Sequence, residues 1–274
     1  MGVDVRNDRR GSVTSLGTSE GGVGTMAWIH DQGPDPIPAQ LLDRIMYLGV
    51  PSTGPDGAYF PPAQEGPQAY LAVQGAQVDE IPTHFHSVEQ FQCFVSGTGT
   101  IGGRPLEGGI LHYADRYTPY GPLCAGPRGM TYATLRPYHD TGVFVMPAAQ
   151  DRLAGLLRAS PYRAADRRQH TLDLREPAGE PAPTGRPTWS DLLSAADGFR
   201  VAVTGLSGGA VSCSITVGGA GAYVLVVSGA LDGDGAPHAA GAVTWRAAGE
   251  TFRAVATEAG ARVALLQFPG GVAP

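Results

Sequence analysis

The sequence contains no lysine, and all 19 basic residues of the 274-residue chain are arginine. This excludes chemistry that needs a lysine amine, such as a Schiff base with pyridoxal phosphate, and it excludes a P-loop phosphate site. Charged residues make up only 16% of the chain, against about 25% in an ordinary soluble domain. With a net charge of −6, the chain lacks the basic surface that is typical of nucleic-acid-binding proteins.

Cysteine and long apolar runs are also scarce. Cys93, Cys124 and Cys213 are widely spaced and form no CxxC pair, which is no disulfide framework and fits a reducing compartment. No apolar run approaches the roughly 20 residues that a membrane span requires, and residues 1–24 lack the apolar segment of a signal peptide. We therefore expect a cytoplasmic protein that binds neither membranes nor nucleic acids.

Turn-forming residues are abundant instead, with 40 glycines and 23 prolines. They break the chain into short segments and argue against a helical bundle. Between the turns lie apolar or alternating segments, which predict an all-β sandwich or barrel: Ala69–Val73, Glu89–Val95, Gly109–Ala114, Thr131–Leu135, Phe199–Thr204, Ala210–Val217, Ala222–Ser228, Ala242–Arg246 and Ala261–Phe268. A few short helices are expected at Pro36–Leu48, Ala149–Leu157 and Thr188–Ala196.

The strand pattern occurs twice. The tetrapeptide Phe94–Gly97 (FVSG) matches Val226–Gly229 (VVSG) at an offset of 132 residues, and each ends an apolar segment before a glycine-rich turn. Two β-rich domains are therefore expected, at 25–157 and 188–274. Residues 1–24 are predicted to be a flexible tail, and the Pro- and Arg-rich residues 158–187 a linker.

The strongest chemical signal is a pair of histidines, His84 and His86. In an extended strand these side chains point to the same side, and beyond a short turn Gln90 and Gln92 share one face. Two imidazoles facing an amide oxygen can hold one face of a metal ion, as in the two-histidine-one-carboxylate triad. The same HxH pair is also compatible with surface histidines or with a hydrogen-bonded core pair.

This segment resembles the first motif of the cupin superfamily, G-x5-H-x-H-x3,4-E-x6-G. From the first histidine onward, His84, His86, Gln90 and Gly97 fit its spacing. Two positions depart from the motif, because Val78 replaces the leading glycine and Gln90 replaces the glutamate. Glu89 lies one position earlier and faces the other way by strand parity, so the resemblance implies Gln90 as the third ligand. Glu89 is kept as a candidate proton carrier.

The second cupin motif, G-x5-P-x-G-x2-H-x3-N, is matched only in part. Pro119 and Gly121 are present, but Cys124 stands in the place of the histidine and Arg128 in the place of the asparagine. Cys124 could ligate a metal as a thiolate or could be an inert wall residue. His112, on the strand before this turn, is a further candidate for an extra ligand.

Tyrosine and arginine side chains are concentrated after the histidine pair. Because tyrosine combines an apolar ring with a polar tip, it suits the wall of a small-molecule pocket. The candidate pocket residues are Gln92, Tyr120, Tyr132 and Arg136, and Arg136 could hold a substrate carboxylate. His139 and Asp140 lie beyond the predicted strand and are interpreted as a loop pair.

The resemblance implies two cupin-type jelly-roll barrels with one divalent metal ion, in the first domain only. Adding 132 to the ligand positions gives Thr216, Gly218, Ala222 and Ala256, which offer no imidazole or carboxylate. The second domain is therefore expected to be a degenerate cupin without a metal. Fe(II) is the expected ion, with Zn, Mn, Ni or Cu as alternatives.

The implied function is that of a metal-dependent cupin dioxygenase or oxygenase, with O₂ as co-substrate. Its substrate would be a small organic, cyclic or anionic metabolite that chelates the metal. A non-redox metal-dependent isomerase, cyclase, lyase or decarboxylase is the first alternative, and a cupin that only binds a small ligand is the second. A homodimer, or pairing of the two domains through a shared sheet edge, is expected from the exposed edges of such sheets.

Overall fold

A computed structural model describes residues 25–26, 42–48, 66–140, 142–159, 168–175, 187–232 and 237–270. Within these residues the elements are β1 (Thr25–Met26), β2 (Leu42–Leu48), β3 (Gln68–Gln74), β4 (His84–Phe85), β5 (Gln90–Ile101), β6 (Arg104–Glu107), β7 (Ile110–Ala114), β8 (Leu123–Arg136), β9 (Phe144–Val145), α1 (Gln150–Ala159), β10 (Gln169–Asp173), β11 (Ser190–Ser194), β12 (Arg200–Leu206), β13 (Ile215–Thr216), β14 (Ala222–Leu231), β15 (His238–Ala239), β16 (Val243–Arg246), β17 (Thr251–Phe252) and β18 (Ala256–Gln267). The all-β prediction is confirmed, and the predicted tail 1–24 lies outside the described residues.

Two large antiparallel sheets carry the fold. The first has the order β10-β7-β5-β8-β3-β2, with β6 on β5, and the second has the order β1-β16-β14-β18-β12-β11, with β15 on β14. Two small sheets, β4-β9 and β13-β17, complete the described part of the chain. The two large orders correspond strand by strand along their central members, since β3, β5, β7 and β8 occupy the places of β12, β14, β16 and β18.

The repeated tetrapeptide marks a β-bulge in both sheets. The register of β5 against β8 shifts between Phe94 and Ser96, and that of β14 against β18 shifts between Val226 and Ser228. A bulge bends a strand and increases its twist, which helps a sheet to curve into a barrel. The sequence repeat therefore reflects a repeated structural element and not chance similarity.

Glycine is required at the end of each bulge. Gly97 has a φ of 76° and Gly229 a φ of 71°, a region that side chains rarely adopt. A Cβ on Gly97 would lie 2.1 Å from the carbonyl oxygen of Gly129, and one on Gly229 would lie 2.1 Å from that of Gly260. The close backbone approach leaves no room for a larger residue.

The two large sheets pack against each other within the chain. On β5, Phe91, Cys93 and Val95 point into a core that they share with residues of the second sheet such as Val203 and Leu266. The sheets therefore meet through their faces, and their described strands share no edge. A homodimer stays a prediction.

The opposite face of each large sheet lines a separate interior. In the second sheet this interior is aliphatic, with side chains such as Val224, Val263 and Leu265. In the first it is apolar at one end, around Phe94 and Tyr132, and polar at the other. The period of two along the strands decides which residues share a face, and in the first sheet it turns the polar residues to the interior of the barrel.

Three local predictions are corrected by the structure. Leu42–Leu48 is strand β2 and not helical, Ser190–Ser194 is strand β11 and not helical, and Gln169–Asp173 of the predicted linker is strand β10. Each pairs with the edge of a large sheet, so ladder hydrogen bonds override the weak local preference. The helix predicted at Ala149–Leu157 is confirmed by α1.

The domain boundaries stay predictions. Thr25–Met26, expected in the first domain, pairs with β16 of the second sheet, and β10 of the expected linker pairs with β7 of the first sheet. Within the described residues, no helix has the length and apolar character needed to cross a bilayer.

Candidate active site

Polar side chains occupy two neighbouring rows inside the first barrel. Gln68 is the register partner of Arg136, and both lie in one row with Gln90. In the next row, Gln92 is the partner of both Thr134 and His112. All of these residues are buried, and the strand period of two turns them all to the interior.

These rows border a small pocket. Its volume is about 40 Å³, measured as the space open to the centre of a water molecule, which corresponds to roughly three water molecules. Seven predicted site residues line it: His84, His86, Gln90, Gln92, Tyr120, Tyr132 and Arg136. Tyr70, Ala72, Ile81, Thr134 and Val143 complete the wall.

His84 is held at both ring nitrogens. Its backbone forms a two-way bridge with Tyr120, with N to O distances of 3.0 and 2.9 Å. Nδ1 lies 2.6 Å from the carbonyl oxygen of Pro82, so Nδ1 carries the proton and donates. Nε2 then has the lone pair and accepts from the Tyr120 hydroxyl at 2.9 Å.

His86 is oriented by a buried carboxylate. Its Nδ1 lies 2.6 Å from Oδ2 of Asp140, and Asp140 also accepts from the backbone N and the hydroxyl of Ser87. Because the carboxylate can only accept, Nδ1 donates and Nε2 keeps its lone pair. A carboxylate behind an imidazole fixes the ring and its tautomer, as in many metal sites.

Both imidazoles are neutral at neutral pH. Burial, with a further contribution from His86, lowers the pKa of His84 to about 3. Burial also lowers the pKa of His86, although Asp140 opposes the shift. Burial alone would raise the pKa of Asp140, but Arg136 and His86 hold it below its ordinary value. Neutral imidazole is the form that binds metal ions.

The neutral histidines make stability depend on pH. His112 behaves like His84, since burial lowers its pKa to about 4, whereas an unfolded histidine has a pKa of about 6.5. Below pH 6.5 the unfolded chain therefore binds more protons, and stability is lost as the pH falls. With a chelator present, we expect a loss of about 1.4 kcal/mol per pH unit for each such histidine. Urea unfolding at pH 7.5 and 5.5 measures this loss. Between these two pH values, the free energy of unfolding of His112→Gln should fall less than that of the native chain. An equal loss in the native chain and in His112→Gln would contradict the assignment of His112 as a buried, neutral histidine.

Arg136 fixes the amide of Gln90. Its Nε and Nη2 donate to Oε1 of Gln90 at 3.0 and 2.8 Å, and Nη1 donates to Oε1 of Gln68 at 2.8 Å and pairs with Asp140 at 3.3 Å. A guanidinium can only donate, so the Gln90 oxygen must face Arg136. The Gln90 NH₂ group then faces the pocket and donates to the Tyr120 oxygen.

Three candidate residues lie away from the pocket lining. Cys124 is half-buried, with Sγ 3.7 Å from Glu80. Glu89 is buried in an ion pair with Arg116, Nε to Oε2 2.8 Å. His112 lies inside the barrel with its ring 5.4 Å from that of Tyr120, and its Nδ1 is 3.0 Å from the Thr171 hydroxyl.

Two site residues, Asp140 and Thr134, are not among the candidates predicted from the sequence. The sequence predicts a loop position for Asp140, yet this residue is fully buried beneath His86. No local pattern indicates this contact, because it joins residues 54 positions apart. Thr134 could have been found, since it has the same strand parity as Tyr132 and Arg136.

Several buried polar atoms lack a hydrogen-bond partner among the described residues. They include Oε1 of Gln92, Oγ1 of Thr134 and Nε2 of His112. Gln92 and Thr134 line the pocket. Since buried polar groups are nearly always satisfied, these atoms indicate that the pocket receives a polar ligand or water.

The architecture matches that of solved structures. A candidate dioxygenase from Nostoc punctiforme superposes with a TM-score of 0.56 and 11% sequence identity, over 92% of this chain and 85% of that chain. Because it covers 92% of this chain, the superposition extends over both large antiparallel sheets. The chain has the cupin fold.

Two further cupin-type structures superpose less closely. A variant of Bacillus subtilis oxalate decarboxylase gives a TM-score of 0.48 at 12% identity, over 77% of this chain and 71% of that chain. A Cupin 2 conserved barrel domain protein from Leptotrichia buccalis gives 0.45 at 12%, over 83% and 88%. The Bacillus enzyme contains Mn(II) centres. At such identities the likeness concerns the cupin fold alone. No family model matches the chain, and no curated protein matches it.

Proposed function

We propose that this cupin is a metal-dependent enzyme, an Fe(II) dioxygenase or oxygenase that acts on a small organic metabolite. The proposal is carried by one observation: two neutral imidazoles, each with Nδ1 bonded to a fixed acceptor, line the polar pocket. Nε2 of His84 accepts from the Tyr120 hydroxyl, and Nε2 of His86 lies 3.5 Å from Nη2 of Arg136. A neutral imidazole with its Nδ1 held by a fixed acceptor is the form in which histidine binds divalent transition metals, and this supports the proposal.

The donor set fits a metal ion at two of the three predicted positions. Nε2 of His84 and Nε2 of His86 have the right tautomer and charge, whereas Gln90 turns its NH₂ group and not its oxygen to the pocket. When bound, an Fe(II) ion with so few protein ligands supplies open positions for a chelating substrate and for O₂.

The remaining pocket residues would bind and orient the substrate. Gln92 and Thr134 offer polar atoms that no group of the described residues satisfies, and Tyr132 and Ile81 supply apolar wall. Arg136 would not hold a substrate carboxylate, because its donors are used by Gln90, Gln68 and Asp140. The pocket would therefore select a molecule of a few non-hydrogen atoms with a hydroxyl, carbonyl or enol group.

The test begins with anaerobic titration of the metal-free chain with Fe(II), for which we expect one ion per chain. The Fe(II) protein is then given O₂ and a panel of small hydroxy and oxo acids, diketones and phenols, with an oxygen electrode and mass spectrometry as readouts. Oxygen uptake with product formation supports the proposal. Product without oxygen uptake would instead support a non-redox metal-dependent enzyme, and failure to bind Fe(II) would overturn the proposal of an Fe(II) enzyme.

The unsatisfied pocket atoms give a second prediction. Gln92→Leu and Thr134→Val should each raise the free energy of unfolding by about 1 kcal/mol, because each removes a buried oxygen that has no hydrogen-bond partner among the described residues. The same variants should lose substrate turnover. Gln68→Leu is the matched control, and it should be destabilised, since it removes an acceptor of Arg136. Chemical unfolding measures all three, and destabilisation by Gln92→Leu would contradict the assigned role.

A further inference from the structure

The site supplies little negative charge for a divalent ion. Asp140, the carboxylate nearest to His86, is already paired with Arg136 at 3.3 Å. His84 and His86 are neutral, and Gln90 directs its NH₂ group to the pocket. A dication held by the histidines alone would keep its full charge beside a buried guanidinium, which is electrostatically costly.

The hydroxyl oxygen of Tyr120 contacts both His84 and the side-chain amide of Gln90. Its hydroxyl lies 2.9 Å from Nε2 of His84 and accepts from Nε2 of Gln90. Its ring stacks 6.1 Å from that of His86. The backbone bridge between residues 84 and 120 fixes both side chains relative to each other. The phenol is buried, so it cannot turn away to solvent.

We propose that Tyr120, and not Gln90, provides the third protein donor to the metal ion, so that the site is a two-histidine-one-phenolate set with Gln90 and Arg136 as positioning residues. This rests on the proposed function. A bond forms between the Tyr120 oxygen and the ion, the O–H bond breaks, and the proton passes to the buffer. The phenolate has the same charge as the carboxylate of the two-histidine-one-carboxylate triad. The Gln90 NH₂ group remains as a hydrogen-bond donor to the phenolate oxygen.

Fe(III) added to the metal-free protein is the probe, because phenolate bound to Fe(III) gives a visible charge-transfer band. We expect this band in the native chain and its complete loss in Tyr120→Phe. Titration with Co(II) should show metal affinity in Tyr120→Phe reduced by more than the roughly 10–100-fold that is usual for loss of an outer hydrogen-bonding partner. Tyr132→Phe is the matched control, since Tyr132 lines the same pocket, and it should retain the band and the Co(II) affinity.

The outcomes separate the two proposals. If the native chain binds neither ion, the metal-dependent function fails together with this inference. If it binds Co(II) and Fe(III) without the band, or if Tyr120→Phe binds as tightly as the native chain, Tyr120 is not a donor and the metal-dependent function stands. Circular dichroism and thermal unfolding of Tyr120→Phe verify that the variant is folded.

Discussion

Replacement of His86 by alanine is expected to remove the metal ion and the activity while the fold remains. The variant loses one of the two imidazoles, so metal affinity should fall by more than about 100-fold. Asp140 would not become an isolated charge, because Ser87 still donates to it at 3.2 and 2.9 Å and Arg136 still pairs with it. Elemental analysis and Co(II) titration measure the loss, and circular dichroism verifies the fold.

His112→Ala is the matched control for this experiment. It removes a histidine that is equally buried in the same barrel but does not line the pocket. We expect it to keep one ion per chain. Full metal occupancy in His86→Ala, or loss of the ion in His112→Ala, would show that the wrong histidines have been assigned.

Gly97→Ala is expected to cause the largest loss of stability. The new Cβ would lie 2.1 Å from the oxygen of Gly129 and 2.7 Å from the Cα of Met130, and both are backbone atoms that cannot move without opening the β5–β8 ladder. To this clash is added the cost of a positive φ, about 1–2 kcal/mol. The total should exceed about 4 kcal/mol, the range reached only by severe structural defects. Urea unfolding and soluble yield measure it.

Gly103→Ala separates the clash from the backbone cost. Gly103 has a φ of 79°, and a Cβ there would meet nothing within 4 Å, so only the cost of about 1–2 kcal/mol is expected. Gly229→Ala should match Gly97→Ala, because it would place a Cβ 2.1 Å from Gly260 in the second sheet. Similar effects of Gly97→Ala and Gly103→Ala would refute the close approach.

The sequence was sufficient to predict most of the central strands and the residues that face inward. A period of two along Gln90, Gln92 and Phe94 can be read without a structure, and the HxH spacing places two imidazoles on one side. The repeated tetrapeptide was visible too, although its cause, a bulge that ends in a glycine without room for a Cβ, was not.

Edge strands could not be predicted in the same way. Leu42–Leu48, Gln169–Asp173 and Ser190–Ser194 have no strong strand pattern, and they become strands because an exposed sheet edge offers backbone partners. Such pairing depends on distant segments, and local composition carries little information about it.

The sequence by itself determined the β-rich class, the internal repeat and the inward direction of Gln90 and Gln92, because strand alternation and sequence repetition can be read along the chain. Only the tertiary structure decided which atoms those residues present to the pocket. Arg136 turns the oxygen of Gln90 away, Asp140 orients His86 from 54 residues along the chain, and Tyr120 faces His84. Hydrogen-bond direction depends on partners brought together by folding, and spacing along the chain does not encode it.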